Sequence, residues 1–194
     1  SVKYEDLYGR GGAFLVTPLD KGKIFSKEMF SEDQKMFAQA AYEYAITRMK
    51  PLKEDLKKLN KELTLEILKE WGEMGFLGAD IPEEYGGSDL DKTTAAILVD
   101  YLAYSECPSI MVTLGAHSGI GTLPIVWYGN ENQKKKYLPQ ITSGASLSCY
   151  ALTEPNAGSD AMNGETIAYL NKEGTHYILN GQKIYITNGS WANI

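Results

Sequence analysis

The sequence predicts an α+β, multidomain chain: an all-α helical N-terminal domain followed by the start of an antiparallel β domain. Three observations carry this. Apolar residues recur at helical spacing in separate runs from Ser31 onward. Beyond Gly144 the period shortens, and residues 166–170, 176–179 and 183–187 are rich in strand formers, with a strand-like stretch at 146–152 ahead of them. Asn180-Gly181, between two of these runs, is the dipeptide that most favours a hairpin turn. The boundaries read as an extended lead-in over 1–30, a helical domain over 31–145 and the start of a β domain over 146–194.

The elements follow in order. Gly9, Gly11, Gly12 and Gly22 make the lead-in irregular. Ser31 and Gln34 form a capping box, which opens a first helix burying Phe37, Ala40, Ala41, Tyr44 and Ala45. Pro51 opens a second helix, where its missing N–H costs nothing. Its Lys53, Glu54, Asp55, Lys57 and Lys58 form a solvated face. A third helix sets Ile67, Leu68, Trp71 and Met74 on one side and stops at Gly75. Pro82, Gly86 and Gly87 make 81–87 a loop. A fourth helix, from about 93 to 106, buries Ile97, Leu98, Tyr101, Leu102 and Ser105, and Pro108 ends it. Residues 109–128 are nearly free of charge, so a helix there is expected to be buried all round. Asn130 and Gln133 repeat the capping-box pattern before Lys134, Lys135 and Lys136, a solvated face.

Composition narrows the function classes. The 194 residues carry a net charge of −6, which argues against a nucleic-acid partner. The two cysteines, Cys107 and Cys149, form no metal-binding or redox motif, and the two histidines, His117 and His176, read as structural. No apolar run is expected to reach the ~20 residues of a membrane helix. The chain opens on Ser1 rather than Met and ends on Ile194 just after a strand-like run, so a truncated chain is expected.

Two pieces of chain carry the chemistry. The first is Tyr150-Ala-Leu-Thr-Glu-Pro-Asn-Ala-Gly-Ser-Asp160. It puts Thr153 at a strand end, then a turn whose amides can contact a phosphate, with Gly158 allowing close approach. The second is Tyr185-Ile-Thr-Asn-Gly189. In a strand, Tyr185 and Thr187 would point to one side and offer an aromatic plane beside a hydroxyl. A flat heteroaromatic ring suits that pair.

The first string resembles the signature of the acyl-CoA dehydrogenase family, in which Thr-Glu-x-x-x-Gly-Ser-Asp follows a small apolar pair. The similarity extends to the segments at 81–87, 129–139 and 180–189, in family order, and the motifs at 114–117 and 188–194 lean toward the very-long-chain branch. The resemblance implies a helical N-terminal domain, a β-barrel middle domain that has only begun here, and a C-terminal helical bundle absent from this sequence. It implies FAD as cofactor, with Tyr150, Leu152, Thr153, Gly158, Ser159, Tyr185, Ile186 and Thr187 as cofactor-binding residues. Thr153 would meet the pyrimidine side of the flavin, Gly158 and Ser159 the pyrophosphate, Tyr185 a ring face and Thr187 the N5 edge. Tyr185 stands where the family most often has Trp.

The implied reaction is α,β-dehydrogenation of a fatty acyl-CoA thioester in β-oxidation. Electrons would pass to an electron-transfer flavoprotein, and the full-length protein would be a homodimer or homotetramer, in the cytoplasm of a bacterium or the mitochondrial matrix of a eukaryote. Ser159, Met111 and Gly115 are the substrate-binding candidates, with Gly115 marking a deep pocket and a long acyl chain. The family's general base lies in the C-terminal domain, so no catalytic residue is expected in this chain, and Glu154 and Asp160 belong to the structural turn. Alternatives are an acyl-CoA oxidase-like flavoenzyme and a non-catalytic binding or assembly relative.

Overall fold

The structure, a computed structural model, describes residues 3–7, 10–18, 20 and 25–194. Gly9 and Gly22 of the lead-in lie outside the described residues. Single 3-10 turns form at Tyr4–Leu7, Gly11–Leu15 and Lys27–Met29, so the described lead-in is turned at three places.

Helix α1 spans Glu32–Tyr44. The capping box is present: Gln34 N–H donates to Ser31 Oγ and Ser31 N–H donates to Gln34 Oε1, both at 3.1 Å. Such a cap is worth about 1 kcal/mol. The helical path then continues through a π-helical turn (Ala45–Met49) and a 3-10 turn (Lys50–Leu52) into the short α2 (Lys53–Lys57). Pro51 therefore does not open a separate helix. It has no N–H for the ladder, and the change in hydrogen-bonding register around it absorbs the missing donor.

Helix α3 (Lys61–Glu73) starts on the side chain of Asn60 and ends before Gly75, which adopts a φ of 75°. Ile67, Leu68 and Trp71 are buried as expected, whereas Met74 is exposed. Helix α4 (Lys92–Leu102) is capped by Asp91, whose carboxylate accepts from Thr94 N–H at 2.7 Å. The left-handed Glu106 (φ 57°) follows α4's last 3-10 turn and ends it; Pro108 instead opens α5 (Pro108–Leu114). A proline suits either role by its fixed φ, and only the neighbouring backbone decides.

From α5 a π-helical segment (Gly115–Gly121) leads into α6 (Leu123–Tyr128). The helical run Pro108–Tyr128 has 21 residues and is apolar enough to cross a membrane by length and composition, which corrects the expectation that no run reaches that length. Its glycines and hydroxyls are carried inside one helical path. It is not buried all round either. Ile110, Leu114 and His117 face the core, but Val112, Ile120, Trp127 and Tyr128 are exposed. Helix α7 (Glu131–Thr142) begins on the second capping box, at Asn130 and Gln133.

The core gathers Ala41 and Met49, Ile67, Leu68 and Trp71 of α3, Leu98 and Leu102 of α4, and Ile110 and Leu114 of α5. A smaller cluster joins Ile81 and Tyr85 to Leu138 of α7.

The β domain is present as a two-stranded antiparallel sheet, β1 (Ile167–Leu170) with β2 (Tyr177–Asn180), in the register Ile167 to Asn180. Both of its faces are exposed. The turn between the strands lies at 171–176. There the Asn171 side chain accepts from Thr175 N–H (2.8 Å) and His176 N–H (3.1 Å), and Gly174 takes a φ of 69°. Asn180-Gly181 is thus not the hairpin turn but the exit from β2. Gly181 is needed there for space, since a Cβ would lie 2.2 Å from Thr166 Oγ1. Residues 146–152 and 183–187 form no strand. Strand geometry requires a paired neighbour, and these segments find only isolated backbone bonds.

Candidate functional site

The two pieces singled out in the sequence meet, and a buried carboxylate joins them. Ile184 N–H donates to the Thr153 carbonyl at 2.9 Å. Lys183 Nζ reaches the Leu152 carbonyl (2.9 Å) and Glu154 Oε1 (2.7 Å). Glu154 also accepts from Glu165 N–H at 2.5 Å and Thr166 N–H at 3.1 Å. One side chain thereby holds the first string, the entry to β1 and the 183–187 segment together. Lys183, then the donors at Thr166 and Glu165, hold the Glu154 carboxyl down to about 2. A carboxylate so fully engaged has no free lone pair for a substrate proton, which accords with its assignment to the turn. Replacing Lys183 with Met is expected to raise amide hydrogen exchange at Ile184 and Thr166 by about tenfold or more, because both bonds depend on this junction. Unchanged exchange would show that the junction holds without the lysine.

The far side of the string is anchored to the helical domain. Asn193 N–H and Ile194 N–H donate to the Leu147 carbonyl at 2.8 and 3.2 Å, and Cys149 N–H donates to the Ile194 carbonyl at 3.0 Å. Asn188 Nδ2 bridges the Ser148 carbonyl (3.2 Å) and the Thr113 carbonyl of α5 (3.1 Å). His117 completes the anchor. It is fully buried, its Nδ1 accepts from Ser148 N–H (3.1 Å), and its Nε2 meets the Ile141 carbonyl (3.1 Å).

The predicted site residues fall into three groups. Thr153 is half-buried at the junction, while Tyr150, Leu152, Gly158 and Ser159 are exposed along the first string. The amides of Gly158, Ser159 and Asp160 find no acceptor among the described residues, and a Cβ at Gly158 would meet nothing within 4 Å. Thr187 and Asn188 line a cavity of about 450 Å³ with Ser109, Val112, Thr113 and Trp191. Tyr185 does not join Thr187 on one side of a strand. It is 88% exposed and left-handed, with a φ of 56°, and Ile186 is half-buried beside it. A strand there would need a partner on its edge, and the described residues offer one bond, to Thr153.

Gly115 lines a second cavity, of about 380 Å³, with Phe76, Leu98, Leu114, Gly119 and Leu123. Added Cβ atoms at Gly115 and Gly119 would meet nothing within 4 Å. A helical glycine costs about 1 kcal/mol against alanine, so these two are not explained by packing within the chain. Val112 of the first cavity and Gly115 of the second are three residues apart on one helical path. Met111 does not line either cavity. It is half-buried against the core cluster, because its position falls on the inner side of α5. Sequence reading missed Lys183, Asn188 and the cavity residues Asp80, Lys92, Ser118 and Trp127. Only Lys183, the cation that opens the strand-like run 183–187, carried a local signal.

Comparison with known proteins identifies the family. Residues 31–145 match the family model for the acyl-CoA dehydrogenase N-terminal domain, and residues 149–194 match that for the middle domain. A probable acyl-CoA dehydrogenase of Bacillus subtilis is 43% identical over 95% of the chain, covering 31% of the relative. The mitochondrial very long-chain specific acyl-CoA dehydrogenase of Macaca fascicularis is 41% identical over 74% of the chain and 21% of its own length. The crystal structure of an acyl-CoA dehydrogenase complexed with FAD from Bacillus anthracis superposes with a TM-score of 0.86 at 47% identity, over 94% of the chain and 32% of that structure. The chain spans about a third of the first of these relatives and of the solved structure. With both family models matched in order over residues 31–145 and 149–194, the chain belongs to the acyl-CoA dehydrogenase family.

Proposed function

We propose that this chain is the N-terminal and early middle part of an FAD-dependent enzyme that dehydrogenates long-chain fatty acyl-CoA thioesters between the α and β carbons. The observation that supports it most is the donor set at the junction. Thr153 is half-buried and its hydroxyl has no partner among the described residues, nor have the three amides that follow at Gly158, Ser159 and Asp160. Hydroxyl and amide donors suit a flavin carbonyl edge and a pyrophosphate, and the nearby Glu154 carboxylate is already neutralised by Lys183. FAD, when bound, supplies the hydride acceptor. Thr153 would hold the pyrimidine edge, where negative charge builds on reduction, and Gly158 and Ser159 would hold the phosphates. Tyr150 and Leu152 would border the ring, with Tyr185, Ile186 and Thr187 closing on it. Ser159 is also retained as a substrate contact. The proton-abstracting base is assigned to no residue of this chain.

The test is flavin retention. The longer protein that carries this chain should leave gel filtration with a visible flavin band, and Thr153→Val should weaken FAD binding about tenfold, the loss of one hydrogen bond to a charge-bearing edge. A folded, colourless longer protein that takes up no added FAD would end this reading. Reduced flavin would pass its electrons to an electron-transfer flavoprotein; peroxide formed in proportion to turnover would point to an oxidase instead.

The long-chain preference draws on the open space beside Gly115 and Gly119. Gly115→Leu should lower kcat/KM for palmitoyl-CoA about tenfold to hundredfold relative to butyryl-CoA, since four carbons must fit where space was open. Equal losses for both substrates would remove Gly115 from the acyl pocket.

A further inference from the structure

The peptide that carries Thr153 belongs to no regular helix or strand, yet it is held on both sides. Every carbonyl from Leu152 to Glu154 has a donor. Leu152 accepts from Lys183 Nζ (2.9 Å), Thr153 from Ile184 N–H (2.9 Å) and Glu154 from Ala157 N–H (3.2 Å). Lys183 Nζ also meets Glu154 Oε1 at 2.7 Å, so one ammonium spans the residue before Thr153 and the residue after it. The Glu154 side chain is only 3% exposed. It is fixed in turn by the amides of Glu165 and Thr166 and by close packing on Gly164, where a Cβ would lie 2.9 Å from Oε1. Ordering a lysine stem costs conformational entropy, which a pair on an open surface seldom offsets. Here the partner is buried and immobile. What stays unengaged at Thr153 is its hydroxyl.

We propose that Lys183 is a positioning residue for the cofactor: it fixes the peptide on both sides of Thr153, so that the hydroxyl is already aimed at the pyrimidine edge of the flavin when FAD arrives. The inference rests on the FAD reading above and adds a residue that acts through Thr153 without touching the flavin. The Lys183 ammonium is turned to the Leu152 carbonyl and the Glu154 carboxylate, and its charge is compensated there. A hydrogen bond weakens steeply as its donor is misdirected, and a donor that must be ordered during binding lowers affinity. Without Lys183, the Ile184 amide alone would tie residues 152–154 to the 183–187 segment. Negative charge builds at the pyrimidine edge on reduction, so a well-aimed donor there favours the reduced flavin over the oxidised one.

A double-mutant cycle in the longer protein that carries this chain tests this, with FAD affinity and flavin midpoint potential as readouts. Lys183→Met should weaken binding of oxidised FAD about three- to tenfold, and of reduced FAD by about threefold more, so the potential falls in the same direction as in Thr153→Val. In the Thr153→Val background, Lys183→Met should change either affinity by less than about twofold, because the hydroxyl it positions is gone. Lys183→Gln keeps a donor that can reach one of the two acceptors. It should give a smaller loss with the same dependence on Thr153, and serves as the second variant if Lys183→Met fails to fold. A loss that persists undiminished in the Thr153→Val background, or an unchanged potential, would mean general loosening or a direct charge effect and overturns the proposal. So does a Lys183→Met protein that binds FAD as tightly as the unaltered one; the FAD reading then stands. A folded, unaltered longer protein that takes up no FAD overturns both.

Discussion

Gly144→Ala is expected to destabilise the chain by about 3–5 kcal/mol, through a clash and a strained backbone acting together. Gly144 sits just beyond α7 with a φ of 70°, where an L side chain costs about 1–2 kcal/mol on its own. An added Cβ would also lie 2.4 Å from the Leu68 carbonyl oxygen and 3.0 Å from Lys69 Cα, both on α3. The obstacle is backbone, which cannot swing aside as a flexible side chain would. The contact is reciprocal: a Cβ at Gly72 would stand 2.3 Å from the Ser143 carbonyl. Two glycines thus allow α3 and the end of α7 to cross almost backbone to backbone. Gly72→Ala should therefore cost about 2–4 kcal/mol, and the double variant should cost less than the sum, because one alanine already forces the crossing apart. Urea unfolding of the four proteins measures this. Strict additivity would mean that the two glycines serve separate purposes. A shifted crossing would also reach the site, since Ser146 N–H is tied to the Gln140 carbonyl and the first string starts four residues later.

What the sequence made legible was what is decided locally. The caps at Ser31 and Asn130 were readable because a capping box is closed by residues three apart, and both formed. The buried faces of α1 and α4 were readable from their 3.6-residue period. Features set by distant partners were not. Residues 183–187 have strand composition, but strand geometry needs an edge to pair with, and Tyr185 turned left-handed instead. Asn180-Gly181 promised a hairpin with that same segment and lost it for the same reason. The apolar stretch 109–128 was expected to be buried on every side, because composition does not say which neighbours are present. Its exposed side, with Val112 and the unexplained glycines at 115 and 119, is where the cavities lie. For the candidate site, the two strings were visible as strings. Their joint, Glu154 to Lys183, spans 29 positions and could only be seen once the chain was folded.

Acidification should weaken the hold of the helical domain on the same site as pH falls from about 6.5 towards 4, with His117 as the cause. Burial pushes its imidazole down to about 4, against a small opposing effect from the Ile141 carbonyl. The neutral ring carries its proton on Nε2, which faces Ile141, and leaves Nδ1 to accept from Ser148 N–H. A second proton would go to Nδ1 and set one donor against another, so the Ser148 bond fails. The unfolded chain takes up that proton near 6.5 and the folded chain only near 4. Between those values the unfolded state binds more protons, and stability therefore falls as pH falls through this window. The loss approaches about 3 kcal/mol at the acid end and is about 2–3 kcal/mol at pH 4.5 relative to pH 7.5. Glu154 acts later. Its stabilising ionised form is kept down to about 2, so its contribution is lost only as pH drops below the ordinary carboxylate range of 4.5. Comparing urea stability at pH 7.5 and 4.5 isolates the histidine. His117→Gln should cost about 1–3 kcal/mol at pH 7.5, since one of the two ring bonds is lost, yet flatten the dependence between the two pH values. The same slope in both proteins would move the acid sensitivity elsewhere. Because Ser148 leads directly into Tyr150 and Thr153, a flattened slope would also tie the cofactor string's anchoring to one neutral imidazole, and flavin affinity of the longer protein should then weaken over the same pH window.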